Sequence, residues 1–379
     1  MKNLPKALQH KLQQRIDANA LRKLPVNTRQ IDFSSNDYLG FSRSQEIFDA
    51  AHQYLIDNDI VNNGSTGSRL ITGNHELYKE TETFIANFHK SPAALVFNSG
   101  YDANVGLFSS LPQKEDIILY DEYIHASIRD GIRLCNAKAY KFKHNDLAVL
   151  ANLIARYSNS QGEIYVVTES VFSMDGDSPN LEEMVKLCKN HNCLLIVDEA
   201  HALGIFGSKG EGLIQHLELE DKVFARVMTF GKGLGCHGAA VLGSPELREY
   251  LVNFARSFIY TTALPPHSLA TILSAYKSLE SNVTAKQLKD NISFFTLKVA
   301  EHGLSSLFIY SYSAIHCAVI PGNEKVKEIA AVLQQKGFAV KAILSPTVPQ
   351  GEERLRFCLH SYNTKEEIEA VLIVLKELI

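Results

Sequence analysis

"VMTFGKGLGCHGAAVLGS", Val227 to Ser244, admits two incompatible readings, and the fold turns on which one holds. Gly233, Gly235 and Gly238 spell G-x-G-x-x-G behind a short apolar run, the spacing of a dinucleotide-binding loop. Lys232 stands directly before them, where a reactive amine would sit in a crowded turn. A dinucleotide loop needs a helix opening on its glycines and an acidic residue about 20 positions on for the ribose. Here the chain continues Ala239-Ala240-Val241-Leu242 and then Gly243-Ser244-Pro245, a short strand ended by turn residues. No Asp or Glu occurs from Tyr250 to Ser278. The dinucleotide reading therefore fails on both demands. What remains is strand, glycine loop, strand, with one cationic side chain at the junction.

Composition sets the frame around that junction. The 379 residues are 45% hydrophobic and 21% charged, values of a globular protein long enough for one large domain and a smaller one. A net charge of −4 leaves no basic footprint, so neither nucleic acid nor a membrane surface is expected as a partner. The six cysteines (Cys135, Cys188, Cys193, Cys236, Cys317, Cys358) form no C-x-x-C pair. Reduced thiols and a cytoplasmic location follow as the expectation. The opening "MKNLPKALQHKLQQRI" is amphipathic without a continuous apolar stretch, so it reads as neither signal peptide nor membrane span.

Short apolar runs alternate with helical patterns over the first two thirds of the chain. Strands are expected at 93–97, 116–120, 163–168, 193–197, 226–230 and 239–242, with amphipathic helices such as 75–89 and 181–190 between them. Near-continuous Val, Ile and Leu in alternating β and α elements predict an α/β fold, a mostly parallel sheet covered on both faces. After Pro265-Pro266 the pattern changes. A long helical region from 268 to about 302 precedes strands at 314–320, 338–343 and 354–360 and helices near 324–335 and 365–378, a smaller α+β domain. The expected division is an N-terminal helix and arm (1–40), a large domain (41–270) and a small C-terminal domain (271–379).

Open α/β sheets bind ligands at the carboxyl ends of their strands. Inspected together, those ends carry chemistry. Asn98-Ser99-Gly100-Tyr101 leads into a helix and suits a phosphate received on backbone amides. His125 follows the second strand, Glu169 to Asp177 the third, Asp198-Glu199-Ala200-His201 the fourth and Lys232 the fifth. The tetrapeptide Asp198 to His201 also occurs in helicases, but the G-x-x-x-x-G-K-[ST] loop they require is absent. H-E-x-x-H and G-x-S-x-G are absent too, and no metal set is expected. A buried Asp, a Lys amine, a flat imidazole and a phosphate cradle together suit pyridoxal 5'-phosphate (PLP). Its aldehyde takes a lysine and its pyridine nitrogen an acid.

Seven segments in order carry a more specific likeness: "FSSNDYLG" (33–40), "STGSRLITG" (65–73), "TESVFSMDGD" (168–177), "VDEAH" (197–201), "TFGKGLG" (229–235), "SPTVP" (345–349) and "RLRFCLH" (354–360). With them the chain resembles, over nearly its whole length, the α-oxoamine synthase family, PLP enzymes of fold type I, and most nearly its biotin-synthesis branch. The resemblance implies a seven-stranded, mostly parallel sheet in the large domain. It implies Lys232 as Schiff-base lysine and acid–base, Asp198 as partner of the pyridine nitrogen and His125 as the ring stacker. His201 and Ser173 would bond the ring hydroxyl region. Gly100, Tyr101 and Thr229 would hold the phosphate, with Thr262 reaching the phosphate of a neighbouring subunit in an obligate homodimer with shared sites. Arg356 would pair with the amino-acid carboxylate, Asn36 would lie on the substrate side, and Arg22, followed by Lys23, would face the acyl chain. The implied reaction is decarboxylative condensation of L-alanine with a pimeloyl thioester of coenzyme A or an acyl carrier protein. Glycine with an acetyl thioester, or another acyl group, is the alternative.

The chain departs from the family pattern in two places. Leu344 stands where the biotin branch carries an arginine before P-P-T-V-P or its equivalent, which puts the orientation of the acyl substrate in question. Ala202-Leu203 replace the usual Gly and small hydroxyl residue.

Overall fold

The two runs flanking Lys232 are adjacent strands of one sheet. The computed structural model describes residues 4–22, 24, 29–281 and 283–379. Its strands are β1 (Ile31–Asp32), β2 (Ala93–Phe97), β3 (Ile117–Asp121), β4 (Lys138–Phe142), β5 (Ile164–Glu169), β6 (Leu194–Asp198), β7 (Ala225–Thr229), β8 (Ala239–Gly243), β9 (Ile315–Val319), β10 (Phe338–Ala339), β11 (Lys341–Ile343) and β12 (Arg354–Cys358).

Seven of them form the main sheet in the order β2-β8-β7-β6-β5-β3-β4. β8 runs antiparallel to both neighbours and the remaining pairs are parallel. Consecutive residues feed opposite cores: Val166, Leu195 and Leu242 point to one face, Val167, Ile196 and Val241 to the other. Both faces are covered by helices, which is why β5 and β6 carry no polar alternation. Helix Leu181–Asn190 shows how the covering forms. Asn180 caps it by accepting from the Glu183 amide at 3.1 Å, and Leu181, Met184, Val185 and Cys188 make its buried stripe.

β4 is the main-sheet strand that the apolar pattern does not announce. It is the edge, and its Lys138 and Lys141 are exposed, a charge that discourages pairing with another chain and breaks the apolar run. The long helical region also divides, into Pro266–Leu279 and Val283–Glu301. The first, which crosses residue 270, packs Leu269, Leu273 and Tyr276 into the core shared with helices Gln45–Asp57 and Glu76–Phe88. The second packs against Lys365–Leu378, which opens with a capping box of Thr364 and Glu367.

Towards the C-terminus β11, β12 and β9 form an antiparallel sheet. The single strand expected at 338–343 is two. Phe338–Ala339 pairs in parallel with β1, while Lys341–Ile343 pairs with β12, with buried Val340 between them. The β1 pairing draws the N-terminal segment across the molecule and sets Asn36 and Tyr38 beside β12.

Candidate active site

Strand ends converge as the topology requires. β6 ends on Asp198, which is buried; its Oδ1 accepts from the Ala200 amide at 2.9 Å and its Oδ2 from Asn104 Nδ2 at 2.8 Å. Asn104 also donates to Ser127 Oγ at 3.0 Å, tying helix Gly100–Ser110 to the turn that carries His125. β7 ends on Thr229, and three residues later comes half-buried Lys232. Its loop is closed by Gly235 N to Lys232 O at 2.8 Å and Cys236 N to Phe230 O at 2.8 Å. Gly235 has φ +60°, and a Cβ there would strike the Ser42 backbone amide. The glycines serve close chain approach rather than a dinucleotide, and β8 follows them where that reading needs a helix.

Burial pulls the Lys232 amine below its ordinary range, against the raising influence of the Asp198 and Glu169 carboxylates, and the Arg356 charge adds to the lowering. Glu169 is buried, which pushes its carboxyl well up, and it accepts from the His125 amide at 2.6 Å. His125 Nδ1 lies 2.7 Å from Ser127 Oγ. Desolvation lowers its pKa, with Asp198 opposing and Lys232 adding to the fall. His201 is buried, and desolvation with the Lys232, Arg356 and His125 charges holds it well below its usual range, so it is neutral.

A second network reaches the site from β12. Arg356 donates from Nε to the Ser173 carbonyl at 2.7 Å and from Nη2 to Asn36 Oδ1 at 3.0 Å. The Tyr38 hydroxyl lies 3.2 Å from the same Asn36 oxygen and 2.7 Å from His201 Nδ1. Arg356, Asn36, Tyr38 and His201 thus form one connected chain. Ser173 enters it through its carbonyl.

Gly100 and Tyr101 open a helix capped by Ser99, which accepts from the Asp102 amide at 3.1 Å. A Cβ on Gly100 would collide with Thr229 Oγ1, so the helix N-terminus and the Thr229 hydroxyl adjoin. The Tyr101 side chain is exposed and its hydroxyl donates to Asp130 at 2.8 Å, which leaves its amide as the group available to an anion. Thr262 is exposed and its carbonyl accepts from Asn98 Nδ2 at 2.7 Å. Among the described residues no hydrogen bond joins the Thr262 side chain to the other site residues. Arg22 lines a cavity of about 700 Å³ together with His125, Ser173 and residues 346–349; Lys23 lies outside the described residues. Leu344 packs against the core, while Arg15, Arg129 and Arg133 line the same cavity as Arg22. The arginine missing at 344 is therefore not the cavity's only source of cationic charge. Ala202 and Leu203 are buried, and the Leu203 carbonyl abuts Gly233.

These groups fit PLP. A buried carboxylate faces a lysine with a depressed pKa, a neutral histidine lies beside it, and a glycine-tight helix N-terminus adjoins a threonine hydroxyl. Asn104 and Tyr38 are the residues that the sequence motifs did not single out, and Glu169 stood among the strand-end residues without a role. The available signal for Asn104 is an amide among the apolar residues of its helix's inner face.

The model of the family described as aminotransferase class I and II matches residues 28–375. An 8-amino-7-oxononanoate synthase of Emericella nidulans is 42% identical over 98% of this chain and 95% of its own. The chain belongs to the aminotransferase class I and II family. Solved structures agree along its length. A Francisella tularensis 8-amino-7-oxononanoate synthase is 32% identical with a TM-score of 0.78, covering 92% of this chain and 97% of its own. A serine palmitoyltransferase from S. paucimobilis, solved with PLP and myriocin bound, is 27% identical with a TM-score of 0.88 over 98% and 96%. The family fold therefore extends through both the large sheet and the C-terminal sheet that supplies Arg356. Among the described residues no group of three His, Cys, Asp or Glu is placed to hold a metal.

Proposed function

We propose that this member of the aminotransferase class I and II family is a PLP-dependent acyltransferase. It condenses L-alanine with a pimeloyl thioester of coenzyme A or an acyl carrier protein to give 8-amino-7-oxononanoate, CO2 and free thiol, a step of biotin biosynthesis. The observation that carries the chemistry is the juxtaposition of Asp198, at the end of β6, with Lys232, three residues past the neighbouring strand β7, whose amine has a lowered pKa through burial against the opposing Asp198 charge. The names of the Emericella nidulans and Francisella tularensis relatives support the substrates.

When bound, PLP supplies the electron sink for a carbanion at the amino acid's Cα. Lys232 Nζ, neutral for part of the cycle, removes that Cα proton and later returns it. Asp198, fixed by Asn104 and the Ala200 amide, holds a proton on the pyridine nitrogen. His125 would stack on the cofactor ring, and His201 and Ser173 would bond its hydroxyl side. The Gly100 and Tyr101 amides and the Thr229 hydroxyl take the phosphate. Arg356 grips the amino-acid carboxylate with its planar fork, and Asn36 and the Ser173 carbonyl keep that fork oriented. Arg22 meets the far end of the acyl chain. Thr262 reaches the phosphate of the partner subunit, so the assembly is a homodimer with shared sites. In this reading residues 1–40 are the N-terminal helix and arm, 41–270 the cofactor domain and 271–379 the small domain, and the protein is cytoplasmic. The six free thiols agree with that location.

Two observations favour a second reading, with another acyl group. The serine palmitoyltransferase fold superposes with the higher TM-score, and Leu344 replaces the expected arginine. A thiol-release assay pairing alanine, glycine and serine with acetyl, pimeloyl and long-chain thioesters decides. The expected result is a kcat/KM maximum for alanine with the pimeloyl thioester; a maximum at any other pair replaces the assignment.

A further inference from the structure

Behind the cavity wall lies a charged group that the reaction does not use. His144 follows edge strand β4, and its ring is largely buried. Nδ1 lies 2.9 Å from Asp121 Oδ1 at the end of β3, and Nε2 lies 2.9 Å from Asp177 Oδ2 in the loop after β5. Neighbouring atoms tighten the same knot. The His144 amide donates to Glu122 Oε1 at 3.2 Å, the Asn145 amide to Asp121 Oδ2 at 2.8 Å, and Asn145 Nδ2 to Asp177 Oδ2 at 2.7 Å. Burial acts to lower the His144 pKa, but its two carboxylate partners overcome this and raise it to about 10, so the ring is an imidazolium at neutral pH.

That imidazolium faces aromatic partners which line the thioester cavity. The Tyr123 ring stacks on it at 4.5 Å between centroids and 27° between planes, and Phe172 meets it edge-on at 4.5 Å. His125, only two residues beyond Tyr123, has separate anchors in Glu169 and Ser127.

We propose that His144, bridging Asp121 and Asp177, is a positioning residue that fixes the Tyr123 and Phe172 wall of the acyl-thioester cavity independently of the cofactor site. The inference rests on the cavity being the thioester site of the proposed reaction. A cationic ring beneath Tyr123 is attractive because the tyrosine face carries negative charge, and two carboxylates hold that ring in one orientation. Three loops, after β3, β4 and β5, meet on this one side chain. Removing it frees the wall while Lys232, Asp198 and Arg356 keep their partners.

The test compares wild type with His144→Phe, which retains an aromatic ring but loses charge and both hydrogen bonds, and with Tyr123→Leu, which leaves the bridge intact. Each holoenzyme is assayed for kcat and both Michaelis constants, for cofactor absorbance, and for Kd of a non-reactive thioether analogue of whichever thioester the wild type accepts. The expected result is a rise of about tenfold in thioester KM and analogue Kd in both variants, from losing a desolvated cation–ring contact. Amino-acid KM and cofactor absorbance stay within about twofold of wild type, below the threshold of a lost contact. Should His144→Phe fail to fold, His144→Gln, which keeps a hydrogen-bonding side chain but loses the charge and the second carboxylate contact, carries the decision. Unchanged thioester KM and analogue Kd in a folded variant, or equal rises for both substrates, overturns the proposal. A wild type that turns over no alanine and thioester pair refutes the reaction instead, and Kd of the thioether analogue of pimeloyl-coenzyme A, unchanged in His144→Phe, then overturns the wall proposal as well.

Discussion

Asp198 and Arg356 make demands that their neighbours cannot meet if the side chains change. Asp198→Asn keeps the hydrogen bond from Asn104 but cannot hold a proton on the pyridine nitrogen. Cofactor binding is expected to survive while exchange of the alanine Cα proton with solvent falls by at least about a hundredfold. Exchange at the wild-type rate would remove Asp198 from that role. Arg356→Lys retains charge but loses the planar fork that donates to the Ser173 carbonyl and Asn36 and that is proposed to grip the amino-acid carboxylate. The KM for the amino acid should rise about tenfold or more, with the thioester KM little changed, because charged hydrogen bonds are worth about 1.5–3 kcal/mol each. Parallel changes in both constants would contradict the assignment. The strand-end placement of Lys232, Asp198 and His125 was legible because each lies at, or within four residues of, the end of an apolar strand, where a local pattern reveals its position. Tyr38 and Asn104 were not, because their value depends on His201 and Asp198, 163 and 94 residues away.

Elements hold these side chains through close backbone approaches and charge bridges, and both can be perturbed. Gly235→Ala places a Cβ against the Ser42 amide at φ +60°, so the loop of Lys232 must move. A stability loss of more than about 1 kcal/mol is expected, with a fall in kcat, measured by denaturant melts and steady-state assay. Wild-type values for both would show that the loop tolerates displacement. The bridge at His144 predicts a pH signature. Its pKa is about 10 when folded against an ordinary value of 6.5, so its contribution to stability is full below the ordinary value and lost as pH climbs towards the folded one. The stability gap between wild type and His144→Gln should therefore shrink across that window in denaturant melts. A gap constant with pH would contradict a charged bridge. The apolar runs announced β2, β3 and β5 to β8 to within a residue or two, since burial on both faces imprints itself on each strand's own sequence. β4 escaped because an exposed edge admits lysines, and the β1 and β10 pair because two-residue strands far apart in sequence carry no local period.

At the scale of the molecule, exposed apolar side chains form a patch that the proposed homodimer would cover. Val61, Leu70 and Ile71 are 86%, 51% and 80% exposed on and beside segment 65–73. Light scattering should report a dimer. Shared sites add a sharper expectation. Co-expressing Lys232→Ala with Thr262→Arg chains places both lesions in one site and leaves the other whole, so heterodimers should regain activity that neither homodimer shows. Failure of isolated heterodimers to regain activity would confine each site to one chain. The large sheet and the appended α+β part were readable from the switch in pattern after Pro265. The crossing of the N-terminal segment to β12 was not, because it is built by long-range pairing.

Lys232 is the amine proposed to take the cofactor aldehyde. Borohydride treatment of the purified holoenzyme, followed by proteolysis and mass spectrometry, tests it directly. The expected result is one reduced pyridoxyl phosphate adduct per chain, on the peptide containing Lys232, with loss of the visible absorption band and no adduct in Lys232→Ala. An adduct on another lysine, or an untouched Lys232 in cofactor-loaded, active protein, would contradict it.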